Sequence, residues 1–154
     1  MIARLRDGIA SAGAMAIVLG AILFFIAGPY LVYEVFPVQA YRLSEALAFI
    51  AFIVGLVFAL IAIVPKARPT SGLVLVAASF VIAMLLWVWS VILVGDAWGL
   101  GALYFLNLFL GVGAVLGAFV ATLLGGNWHA LIQLIVIAVI VLVFRMIGTA
   151  LSVK

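Results

Sequence analysis

The chain has 154 residues, of which 71% are hydrophobic and 7% charged, with a formal net charge of +3. Soluble domains carry about a quarter charged residues, so this few cannot cover a water-facing surface, and the apolar excess must meet lipid or another protein. The absence of cysteine excludes disulfides, thiolate metal sites and cysteine nucleophiles, and the dispersed basic residues form no block for nucleic acid.

The expected fold is an all-α integral membrane protein: one transmembrane domain over residues 1–154, a bundle of about five transmembrane helices joined by short turns. Arg4 and Arg6 stand ahead of an apolar run from Ile9 to Val32. That run is too long for the h-region of a signal peptide, so it reads as a first span over about 9–33 and not as a leader. Gly28-Pro29 near its far end predicts a kink. Glu34 to Ser44 is the longest polar stretch, and Ser44 is placed to cap a second span over about 45–64.

Pro65-Lys66-Ala67-Arg68-Pro69 stops that span, and Thr70 or Ser71 can cap a third over about 72–94. Gly95 to Gly99 reads as a turn, with Asp96 capping a fourth span over about 99–124. Gly125-Gly126-Asn127 leads into a fifth over about 128–151, with Asn127 as its cap. Each run approaches the roughly 20 residues that cross a hydrocarbon core. Their many β-branched residues still predict helix, because lipid leaves an open strand edge unsatisfied. An alternative has four spans and a re-entrant fourth segment; the unbroken apolar length of that segment favours five.

Lys and Arg near span ends set the orientation. With five spans and the N-terminus in the cytoplasm, Arg4, Arg6, Lys66 and Arg68 lie inside, against Arg42, Arg145 and Lys154 outside. The acids Glu34, Glu45 and Asp96 also fall outside. The reading is N-terminus cytoplasmic and C-terminus outside, in a bacterial inner (plasma) membrane. Tyr30, Tyr33, Tyr41 and Trp98 fall at the outer interface and Trp128 at the inner one, where amphipathic rings concentrate.

The clearest pattern is a small-residue row in the fourth segment. Gly113 and Gly117 form GxxxG, Ala121 continues it, and Ala114, Ala118 and Thr122 lie alongside. Such a stripe lets a second backbone approach closely. The first span offers Ala10, Gly13, Ala14 and Ala21 as a partner row. Arg145, inside the last apolar run, either snorkels to the headgroups or pairs with Glu34, Glu45 or Asp96. Asn107 and Gln133 are amides placed to hydrogen-bond between helices. His129 has no second ligand at helical spacing and reads as an interfacial histidine. Ser79 and Ser90 can bond to the preceding turn.

No metal site, cofactor motif or catalytic constellation is found, so the chain reads as a non-enzyme without cofactors. The expected function is that of a small non-catalytic multi-pass membrane protein, an assembly or accessory subunit acting through helix–helix packing. Its expected partners are the lipid bilayer and itself or another membrane protein, and not nucleic acid. The alternative is a small oligomeric channel or transporter.

Overall fold

The computed structural model describes residues 27–107, 109 and 112–152, together with Met15, Leu19, Gly20 and Leu23. The row Ala10, Gly13, Ala14 and Ala21 lies outside the described residues. Among these, the long elements are all helical: α1 Pro37–Ile61, α2 Arg68–Asn107, α3 Val112–Leu124 and α4 Trp128–Ser152. Helices α1, α2 and α4 are long and apolar enough to cross a membrane; α3, with 13 residues, is shorter.

Ala27–Tyr30 are helical and lead into a π turn, Leu31–Val35, in which the Phe36 N–H donates to the Leu31 carbonyl at 2.8 Å. The irregularity expected at Gly28-Pro29 thus takes the form of a widened turn just after the proline. Phe36 leaves helical geometry (φ −134°, ψ 45°) and Pro37 opens α1 at a position where its missing N–H costs nothing. Ser44 is therefore not a cap. It is buried within α1, its hydroxyl on the Tyr41 carbonyl at 2.8 Å. The helix starts early because Ser44, Ala48, Ala51 and Gly55 form one narrow buried stripe along it. A 3-10 turn, Pro65–Ala67, then reverses the chain into α2, which begins at Arg68. Neither Thr70 nor Ser71 caps it, since both fall inside the helix.

Helix α2 is the axis on which α1, α3 and α4 all pack. The α4 crossing is set by glycine. A Cβ at Gly72 would stand 2.7 Å from the Gly148 carbonyl oxygen, and one at Gly148 would stand 2.9 Å from the Gly72 carbonyl oxygen. Only the absence of side chains at both positions lets the backbones meet there. Gly55 of α1 accommodates the Phe144 ring of α4 in the same way, and Phe52 stacks on that ring at 5.8 Å.

The largest departure from expectation covers residues 95–124. Gly95 to Trp98 stay helical, so Asp96 sits inside a helix rather than capping the next one. Gly99 then takes φ 78°, ψ 177°, a region that is essentially glycine-only. Beyond it the chain doubles back. In a straight helix Trp87 and Asn107 would stand about 30 Å apart, yet the Trp87 indole N–H donates to Asn107 Oδ1 at 3.3 Å. A second reversal follows, with the Phe109 N–H on the Leu106 carbonyl and the Val112 N–H on the Phe109 carbonyl, both at 3.2 Å. Helix α3 returns with Gly113 against the Leu106 carbonyl and Gly117 against the Leu106 side chain and Val94. Ala121, Thr122 and Gly125 thereby reach the level of Asp96.

The segment 99–124 is thus a hairpin of two short limbs, with both ends on the rim that holds Asp96. Its apolar length was not continuous helix, because Gly99 releases the backbone and the small residues of α3 fit against the first limb. Helix α4 starts on that same rim and runs antiparallel to α2, with Gln133 near Trp89 and Gly148 crossing Gly72. Asn127 caps it, its Oδ1 accepting the Ala130 N–H at 3.2 Å. Asn127→Ala is expected to cost about 1 kcal/mol of stability, read by thermal unfolding in mild detergent.

Candidate functional site

The small-residue row lies inside this hairpin. Gly113, Ala114, Gly117, Ala118 and Ala121 are all buried, against Leu106 and Val94 of the same chain where the glycines are concerned. Thr122 continues the buried face and satisfies its hydroxyl on the Ala118 carbonyl at 2.8 Å. The close approach that the row permits is therefore made within the chain. The Gly72–Gly148 crossing was not anticipated, because neither glycine has a small partner at i+4 on its own helix except Ser152, four residues after Gly148.

The buried polar groups are mostly satisfied locally. Ser79 and Ser90 bond to the carbonyls of Val76 and Leu86 at 2.6 and 2.7 Å. Asn107 ties the first hairpin limb to α2 through Trp87. Asn107→Leu removes this buried hydrogen bond and is expected to lower stability by about 1 kcal/mol, measured in the same unfolding assay. Gln133 does not bridge helices. Its Nε2 lies 3.1 Å from Nε2 of His129, one turn back on α4.

Arg145 does not meet Glu34, Glu45 or Asp96. Because the hairpin returns to the Asp96 rim, α4 descends from there, and Arg145 lies about 18 Å along it beyond Gln133, in the half near Lys66. Its guanidinium sits 5.2 Å from the centre of the Phe80 ring, a cation–π contact. The acids stay at the opposite end. Among the described residues, no ion pair joins them to Arg145. The same reversal of α4 puts Trp128 and His129 on the Asp96 rim.

Among the described residues, three open clefts lie at or just below that rim. One, of about 300 Å³, lies between Asp96, Thr122 and Asn127. Tyr33 borders the same end, its ring on Gly95 beside Asp96. Two more clefts, of about 380 and 280 Å³, adjoin along α1 and share Tyr41, Glu45 and Trp89. Tyr41 and Trp89 meet edge to face at 5.3 Å. Arg42 lines the first of the pair and Gln133 the second. Among the described residues no three His, Cys, Asp or Glu side chains gather as a metal-ligand group. No protein-family model, curated protein or solved structure matches this chain.

Proposed function

We propose that this chain is a non-catalytic multi-pass membrane protein that works as an assembly or accessory subunit, through helix packing and its lipid-facing surface. The observation that carries the reading is the state of the interior. Among the described residues, Ser71 Oγ is the one buried side-chain polar atom without a hydrogen-bond partner. The buried hydroxyls of Ser79, Ser90 and Thr122 bond to carbonyls of their own helix, which supports polar groups used for packing rather than set out along a solute path. Since the GxxxG row is turned inward, a partner protein would meet the outer faces of α1 and α4, where Leu47, Phe49, Ile50, Ile135, Val139 and Leu142 are exposed.

For topology we favour four crossings and a non-crossing hairpin over five crossings. The four are the first apolar run, α1, α2 up to Trp98, and α4. Both termini then fall on one side. Charge supports this choice: of the seven Lys and Arg residues, Arg42 alone stays with the Asp96 rim, while Lys66, Arg68 and Arg145 stand toward the other. Arg4, Arg6 and Lys154, outside the described residues, are expected on that side from the sequence. The positive-inside rule makes that side cytoplasmic. The modest bias of the five-span reading becomes a strong one, and the C-terminus moves from outside to inside. A bacterial inner membrane is the setting proposed.

The test is the mass of the full-length chain released from native membrane into mild detergent. A complex with itself or another membrane protein is expected; a strict monomer with no co-purifying protein would refute the assembly role. The second reading, a small oligomeric channel or transporter, is favoured by the Asn107–Trp87 pair, a buried polar contact between the hairpin and α2. Liposomes loaded with an ion or solute gradient separate the two: flux abolished by Asn107→Leu would support transport.

A further inference from the structure

We propose that the paired clefts along α1 bind the headgroup of an aminophospholipid, with its phosphate on Arg42 and its primary ammonium on Glu45. The inference rests only on membrane embedding and not on the assembly role.

Depth is the first argument. Trp89 stands about 20 helical residues from Arg68 and Gln133 about 20 from Ser152, the length that crosses a hydrocarbon core, and Glu45 shares their clefts. Three helices therefore bring their polar and aromatic groups to one level, about where headgroups begin. Side chains on α1 lean toward its N-terminus, so Arg42 and Glu45 reach toward the Asp96 rim and the headgroup layer.

Charge is the second. Arg42 and Glu45 are exposed and, three residues apart on α1, lie on neighbouring positions of one helix face. No ion pair joins them to each other or to a third group among the described residues. A zwitterion carrying phosphate and ammonium a few ångströms apart complements such a pair, each end gaining a charge-assisted hydrogen bond. A purely anionic headgroup would satisfy Arg42 but leave Glu45 facing like charge. A choline headgroup has no N–H to donate, and the Tyr41 and Trp89 rings that would have to hold it meet edge to face.

Shape is the third. Below Gln133 the cleft continues between Leu85, Val136 and Ile137, an apolar wall along which an acyl chain can lie. With α1 and α4 in the bilayer, a lipid would enter these clefts sideways.

The experiment uses the full-length chain in mild detergent, titrated with phosphatidylethanolamine, phosphatidylglycerol or phosphatidylcholine of matched acyl chains. Retained lipid is counted by native mass spectrometry. One phosphatidylethanolamine should be retained with about tenfold preference over either other lipid, the size expected for one charge-assisted contact. Glu45→Gln should erase the preference over phosphatidylcholine, and Arg42→Gln should weaken phosphatidylethanolamine binding about tenfold. Both residues are exposed, so the fold survives, as circular dichroism will check; Lys66→Gln on the far rim should change nothing. Equal retention of the three lipids, full preference over phosphatidylcholine kept in Glu45→Gln, or undiminished phosphatidylethanolamine binding in Arg42→Gln would overturn the proposal.

Discussion

Gly148→Leu is expected to destabilise the protein strongly, costing about 3 kcal/mol. A Cβ there would stand 2.8 Å from Val76 Cγ2 and 2.9 Å from both the Val76 nitrogen and the Gly72 carbonyl oxygen. Two of those three atoms are backbone and cannot rotate away, so α2 and α4 must separate. The contact between them is the broadest in the fold, and losing its closest point exposes Leu75 and Phe144, both buried nearby. The check is the thermal midpoint in mild detergent, beside Gly101→Ala as reference. A Cβ at Gly101 meets nothing within 4 Å, so that variant should hold or slightly gain stability through better helix propensity.

Gly113→Val is expected to open the hairpin. The Leu106 carbonyl stands where the new Cβ would go, and Phe109 Cβ is 3.2 Å away. Moving Leu106 disturbs the adjoining Asn107–Trp87 bond, so a cost of about 2–3 kcal/mol is expected. The kind of effect matters as much as its size. If the GxxxG row packed one chain on another, the substitution would dissociate a complex and leave each chain folded. Because the row is buried in its own hairpin, Gly113→Val should lower the unfolding midpoint while the assembly released from native membrane keeps its mass. Dissociation at an unchanged midpoint would contradict the inward placement.

Much of this was legible in the residues themselves. The helices long and apolar enough to cross a membrane followed from hydrophobic length, the cap at Asn127 from its place after two glycines, and the self-satisfied serines from the helix geometry of α2. The hairpin was harder to see because hydropathy measures solvent preference and carries no direction: residues 99–124 are as apolar folded back as they would be running through. Gly99 was read as the last residue of a turn, whereas its positive φ makes it the reversal itself. The error then propagated, since α4 takes its direction from where the hairpin ends. Arg145 was accordingly assigned to the rim of Glu34, Glu45 and Asp96, and it lies toward the other. Ser44 misled by a different route: Pro37 is an equally good start signal, and only the packing of Ala48 and Ala51 on α2 decides between them.

The central claim is that residues 99–124 leave and rejoin the same rim, and labelling from one side of the membrane tests it directly. The chain has no cysteine, so single cysteines can be placed at Ala97, Lys66, His129 and Ser152, all exposed positions. In intact cells or oriented vesicles, a membrane-impermeant thiol reagent added on the outer side should label Ala97→Cys and His129→Cys alike. Lys66→Cys and Ser152→Cys should react only after the membrane is permeabilised. Ala97→Cys and His129→Cys labelled from opposite sides would mean that the segment crosses, and would contradict the hairpin.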